Sequence, residues 1–233
     1  MIKGILFDKD GTLIEFERTW HSIMTLLFAK IEQEGIFSKK QLMEIKEVTG
    51  YTEHGFEKES KIQFLANSTL VDLWLDICES KTRQTLKDKL LTLFGEASID
   101  QQVKIILLPH TQEMVEYLSG KYHLGIATAD TQESTIHSLQ QAGLLHYFQY
   151  IGADNGENQS KPHPMMADQF CRQTRIDSCE LLIVGDSVSD YQFAKNAKAS
   201  FVGISNDYGV LSSLQQDFPL VADLKEMVNK LQL

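Results

Sequence analysis

The sequence predicts an α/β fold: a parallel sheet covered by helices on both faces, three layers in all, with an all-helical domain inserted after the first strand. Three observations predict it. From Pro109 onward, short apolar runs of strand length alternate with helical periodicities and short loops. One more apolar run, residues 2–7, stands alone near the start of the chain. Between them, residues 18–94 carry apolar side chains at helical spacing with no convincing strand pattern.

Taken in order, residues 2–7 read as a buried parallel strand. Trp20, Ile23, Met24, Leu27, Phe28 and Ile31 then mark a helix that Gly35 stops. Leu42, Ile45 and Val48 mark a second, broken at Thr49-Gly50. Residues 62–65 suggest a third, and a longer helical stretch runs over 70–94 with a break near 79–82. Past Pro109, Met114, Val115 and Leu118 make a helix. Residues 123–127 are a strand and 135–142 a helix ended by Gly143. A brief strand at 150–152 follows, then a helix at 164–174, a strongly apolar strand at 181–184, a helix at 191–197 and a last strand at 200–204. The division is therefore 1–14 with 108–233 for the sheet domain and 15–107 for the insert. Two linkers, near 13–18 and 106–111, would let such a unit rock over the sheet as a lid.

Composition narrows the function. With 233 residues, 42% hydrophobic and 23% charged, the chain is an ordinary globular protein with no sign of disorder. A net charge of −10 and no long Lys/Arg cluster argue against nucleic acid or an anionic membrane as a partner. Cys78, Cys171 and Cys179 have no metal-binding spacing, and their odd number fits free thiols in a reducing compartment. No secretory segment precedes the first strand, and no apolar run approaches the roughly 20 residues needed to span a bilayer. The expected address is the cytoplasm.

In a parallel sheet, ligands bind beyond the carboxyl ends of the strands, so the residues there carry the chemistry. The first strand ends at Asp8-Lys9-Asp10-Gly11, two carboxylates crowded at its mouth. Such a pair repels, so a cation or a shared proton belongs between them. Mg²⁺, which favours oxygen ligands, is the natural candidate. The second strand ends at Ala127-Thr128-Ala129-Asp130. Ser160-Lys161-Pro162-His163-Pro164 follows the third, and Gly185-Asp186-Ser187-Val188-Ser189-Asp190 ends the fourth. Four carboxylates, a hydroxyl and an ammonium on one rim suit phosphoryl transfer. One carboxylate attacks phosphorus, another moves the proton, and cationic groups offset the charge on the transferring oxygens.

Those residues resemble the haloacid dehalogenase superfamily, and within it the phosphoglycolate-phosphatase-like enzymes with an inserted helical cap. Four family motifs stand in order: Asp8-Lys9-Asp10-Gly11-Thr12, Thr128, Lys161-Pro162, and Gly185-Asp186 through Asp190. The resemblance implies a Rossmann-like core and a Mg²⁺-dependent phosphatase acting on a small phosphorylated metabolite through an aspartyl-phosphate. It makes Asp8 the nucleophile and a metal ligand, and Asp10 the acid/base that also binds metal through its backbone carbonyl. Thr128 and Lys161 would hold the phosphoryl group. Asp186 would bind Mg²⁺, with Asp190 completing or orienting the shell. In the family, the loop over 49–61 is where the cap selects substrate, which nominates Tyr51, His54 and Lys58. Arg18, just past the hinge, could reach a substrate anion. Two departures stand out: Lys198 where a glycine commonly follows the last motif helix, and Glu15-Phe16-Glu17 where Asp-Ser is commoner.

The bland readings are a helix N-cap for Thr128, a solvated loop lysine for Lys161, a charged helix start for Asp190, and a cap for Asp130. Two rivals share the scaffold. One is a phosphomutase of the β-phosphoglucomutase kind, and the other is a non-catalytic metabolite-binding protein. Nothing in the sequence bears on oligomeric state.

Overall fold

The computed structural model describes residues 1–233 apart from 58, 59, 64, 79–81, 156, 206–210, 212, 213, 215 and 216. The elements run β1 (Gly4–Phe7), α1 (Phe16–Gln33), α2 (Lys39–Thr49), β2 (Tyr51–Thr52), β3 (Gly55–Phe56), α3 (Asn67–Asp76), α4 (Arg83–Ser98) and α5 (Thr111–Ser119). They continue with β4 (His123–Thr131), α6 (Gln132–Gln141), β5 (Tyr150–Asp154), α7 (Met165–Thr174), β6 (Leu181–Gly185), α8 (Val188–Ala197), β7 (Ser200–Ile204), β8 (Leu220–Val221) and α9 (Leu224–Leu231). They fall into two compact units, residues 1–15 with 105–233, and residues 16–104.

In the first unit, six parallel strands lie in the order β5-β4-β1-β6-β7-β8. Burial on both faces explains the unbroken apolar runs. Ile5, Phe7, Leu182 and Val184 point to one side, where Val115 and Leu118 of α5, Leu139 of α6 and Met227 of α9 cover them. Leu6, Leu181 and Ile183 point to the other, against Phe170 of α7 and Phe193 of α8. That is the three-layer α/β architecture expected. The strand order reverses at β1, with β4 on one side and β6 on the other, which is where such sheets open a crevice.

Among its described residues the second unit is helical except for one hairpin that periodicity did not reveal. α2 ends at Gly50 in the left-handed region (φ 77°), and the chain turns into β2 and β3. Thr52 closes the hairpin, its hydroxyl donating to Gly55 O at 2.9 Å and accepting from His54 N at 3.3 Å. Two-residue strands are too short to show alternation. The same reason hid β8, so the strand at 200–204 is not the last. In place of the helix expected over 62–65 the chain makes a 3₁₀ turn, Lys61–Gln63, with residue 64 outside the described set. The expected break lies between α3 and α4, though residues 79–81 are outside the described set. Stacked rings sit among the aliphatic side chains of this unit's core. Trp74 stacks on Phe94 (6.2 Å between centroids, 12° between planes) and donates Nε1–H to Thr49 Oγ1 at 2.8 Å.

Candidate active site

β1 stops being apolar at Asp8, whose N–H continues the ladder to Val184 O at 2.8 Å. Phe7 pairs with Ile126 on one side and Val184 on the other. Asp8 therefore sits level with Ala127 of β4 and Gly185 at the end of β6, one residue before Thr128 and Asp186. Lys9 O accepts from Leu13 N at 2.9 Å and Ile14 N at 3.0 Å, closing the turn that presents Asp10. Gly11 makes that turn possible. Its φ is 77°, and a Cβ there would lie 2.1 Å from Asp186 Oδ2, so only glycine lets the Asp186 carboxylate come this close.

Lys161 ties the rim together. Its Nζ donates to Asp8 Oδ1 at 2.7 Å and to Asp190 Oδ1 at 2.5 Å. The loop that carries it is held to α8 by Asn196 Nδ2 donating to Pro162 O at 2.8 Å. Asp190 is 1% exposed. A capping box at the start of α8 fixes it: Oδ2 accepts from Ser187 Oγ at 2.6 Å and Ser187 N at 3.1 Å, and Asp190 N donates back to Ser187 Oγ at 3.2 Å. Gly185 leaves room for it, since a Cβ there would fall 2.4 Å from Asp190 Cβ.

Carboxylate oxygens of Asp8, Asp186 and Asp190 all lie within 4.8 Å of one another. Burial, opposed by Lys161 and reinforced by Asp190 and Asp10, pushes the Asp8 carboxyl up to about 7. Burial works to lower the Lys161 ammonium, but Asp190 and Asp8 outweigh it and hold it above the ordinary lysine range. One ammonium among three carboxylates leaves negative charge over. An all-oxygen donor set of that sign fits a hard divalent cation such as Mg²⁺.

A second ammonium was not foreseen as part of the site. Lys9, 2% exposed, donates from Nζ to Asp130 Oδ2 at 2.6 Å and lies 3.1 Å from Asp10 Oδ2. Burial alone would lower it, but Asp10 and Asp130 hold it above the usual range. Asp130 reaches Lys9 because β4 runs on to Thr131 instead of ending at Ala127. Its register with β5 slips between Ala127 and Thr131, and such bulges re-aim side chains beside sites. On that bulge the Thr128 hydroxyl accepts from Asp130 N at 3.2 Å, and Asp130 Oδ1 accepts from Thr131 N at 2.8 Å. A lysine between two aspartates at a buried strand end was the sequence signal, since lysine is rarely fully buried without a partner.

The structure thus brings Asp8, Lys161, Asp186 and Asp190 together, joins Asp10 to Asp130 through Lys9, and links Asp130 to Thr128. The family model for haloacid dehalogenase-like hydrolases matches residues 5–204. The chain belongs to that family. It is similar to the pyrophosphatase PpaX of Oceanobacillus iheyensis, 25% identical over 97% of this chain and 95% of that one. It is also similar to a phosphoglycolate phosphatase of Nitrosospira multiformis, 26% identical over 84% of this chain and 80% of that one. Among solved structures it shares the fold of YfnB, a HAD-hydrolase from Bacillus subtilis bound to magnesium. That match has a TM-score of 0.67 and 16% identity, and covers 100% of this chain and 99% of that one. The chain stands with the phosphatases of the family.

The residues nominated for specificity belong to the second unit. Arg18 is exposed on α1. Tyr51 is stacked on His21 at 5.1 Å and bonded through its hydroxyl to Thr25 at 2.8 Å, so its ring is engaged within its own unit. His54 is exposed at the hairpin turn, and Lys58 lies outside the described residues. Among the described residues, no helix is long and apolar enough to cross a membrane.

Proposed function

We propose that the protein is a Mg²⁺-dependent phosphatase that hydrolyses a small phosphorylated metabolite, a phosphoglycolate-like monoester, through an aspartyl-phosphate on Asp8. The observation that carries this reading is the Lys161 bridge between Asp8 and Asp190, with Asp186 alongside. It gathers an attacking carboxylate, a cation for the phosphoryl oxygens and a hard-metal donor set at one point.

In the first step an Asp8 oxygen bonds to phosphorus while the P–O ester bond breaks, and the electron pair leaves on the substrate oxygen. Asp10 protonates that oxygen. In the second step water attacks the aspartyl-phosphate, Asp10 takes its proton, the Asp8–phosphorus link breaks and phosphate departs. Lys161 offsets charge on the phosphoryl oxygens, and Thr128, whose hydroxyl oxygen already accepts from Asp130 N, keeps its proton to donate to them. Asp8, Asp186 and the Asp10 carbonyl would hold Mg²⁺, with Asp190 completing or orienting the shell; the ion would add positive charge where phosphoryl charge gathers. The free thiols Cys78, Cys171 and Cys179 support the cytoplasm as its place.

The test is a panel of p-nitrophenyl phosphate, phosphoglycolate, pyrophosphate, a sugar phosphate and a nucleoside monophosphate, each with Mg²⁺ or EDTA. Mg²⁺-dependent phosphate release is expected, best on a small monoester. Turnover that ignores the metal, or full activity in Asp8→Asn, would sink the mechanism.

A further inference from the structure

We infer that Lys9, anchored by Asp130, is a positioning residue that aims the Asp10 carboxyl at the leaving oxygen. The inference rests on the acid–base role proposed for Asp10. Lys9 is fixed at both ends. Its carbonyl accepts from Leu13 N and Ile14 N and so closes the turn carrying Asp10, while its Nζ returns to Asp10 Oδ2 at 3.1 Å. Asp130 holds the ammonium from the other side at 2.6 Å and is itself held by Thr131 N. With Oδ2 on Lys9, the proton travels on Oδ1. The connection continues through Asp130 N to the Thr128 hydroxyl. One chain of contacts therefore sets both the group that holds the phosphoryl oxygens and the group that moves the proton.

Stability alone is a poor reason for this arrangement. Replacing a buried ion pair with apolar residues of similar volume is often neutral or stabilising, so a lysine here is best explained by the geometry it imposes. In the reaction, Asp8 forms its bond to phosphorus as the ester bond breaks, and the departing electron pair takes the Asp10 proton. If Asp10 swings, the first step slows only for substrates whose leaving oxygen needs that proton, while hydrolysis of the shared aspartyl-phosphate slows alike for all.

The experiment compares kcat/KM, which reports the step that expels the leaving group, for phenyl phosphate, whose leaving oxygen needs a proton, and for p-nitrophenyl phosphate, whose leaving oxygen departs as a stable anion. Lys9→Met, Lys9→Met/Asp130→Asn and Asp10→Asn are measured with Mg²⁺ beside the wild type. The double variant leaves no uncompensated charge between positions 9 and 130, so it keeps the test open where Lys9→Met alone fails to fold. In both Lys9 variants the p-nitrophenyl-to-phenyl ratio of kcat/KM should rise about tenfold or more, as misplacing a reacting group by about 1 Å can cost about a hundredfold. Asp10→Asn should raise the ratio at least as much. A wild-type ratio in the folded double variant, beside a raised ratio in Asp10→Asn, overturns the positioning role and leaves the proposed function standing. An unchanged ratio in Asp10→Asn overturns the acid–base role, and this inference with it.

Discussion

The unit of residues 16–104 is held by rings, while the carboxyl edge of the sheet is held by ions. In the first, Trp74 lies flat on Phe94, tilts against Phe28 at 5.7 Å, and satisfies its N–H on the Thr49 hydroxyl. Each of these contacts lowers the energy of the fold. In the second, Lys161 and Lys9 each bridge two carboxylates. There burial works against the charges themselves. Buried ions gain little net stability, so the rim exists for what it does to a substrate.

Substitutions should separate the two regions. The largest effect falls on chemistry. Asp8→Asn should cut phosphate release about a thousandfold or more, as loss of a nucleophile does elsewhere, while circular dichroism shows an intact fold. The mirror case is Trp74→Ala, which should cost about 3–5 kcal/mol in urea unfolding, because it empties a packed site and removes the N–H donor to the Thr49 hydroxyl.

Next comes a pH effect peculiar to the rim. The folded Asp8 carboxyl titrates near 7, above its ordinary value of 3.8. Folding therefore favours the protonated form. Stability from this group is present in full below about pH 4 and is lost as the pH rises through about 7. In EDTA, the Tm of Asp8→Asn should gain on the wild type as pH rises across that window. A constant gap would contradict the argument that burial, reinforced by Asp190, raises Asp8.

The smallest effect tests a backbone feature at the end of α8 opposite to Asp190. Lys198 ends α8 in the left-handed region, φ 57° and ψ 33°. That conformation costs a residue with a Cβ about 1–2 kcal/mol, and glycine escapes it. Lys198→Gly should raise stability by about 1 kcal/mol in denaturant unfolding and leave the kinetics alone.

The strands of the sheet were legible because a parallel strand buried on both faces is apolar at every position, as Leu181 to Val184 are. The residues ending them were legible because Gly11 and Gly185 announce where a carboxylate must come close. β2, β3 and β8 were not, since two residues carry no period. The Lys9–Asp130 pair was hidden for another reason. Its partners are 121 residues apart, and they meet only because β4 slips its register past Ala127. Nothing local in Ala127-Thr128-Ala129-Asp130 distinguishes a bulge from a strand end. For the second unit, the helices were legible from Trp20 to Ile31, but the engagement of Tyr51 by His21 and Thr25 depends on a hairpin the periodicity could not show.

The most direct measurement is of the covalent intermediate. Asp10→Asn should form the aspartyl-phosphate from p-nitrophenyl phosphate but hydrolyse it slowly. Acid quench and peptide mass spectrometry of that variant with Mg²⁺ should find one phosphoryl group on the peptide containing Asp8, removed by hydroxylamine. A burst of p-nitrophenol with no phosphoryl group on Asp8, or the same label in Asp8→Asn, would contradict the account.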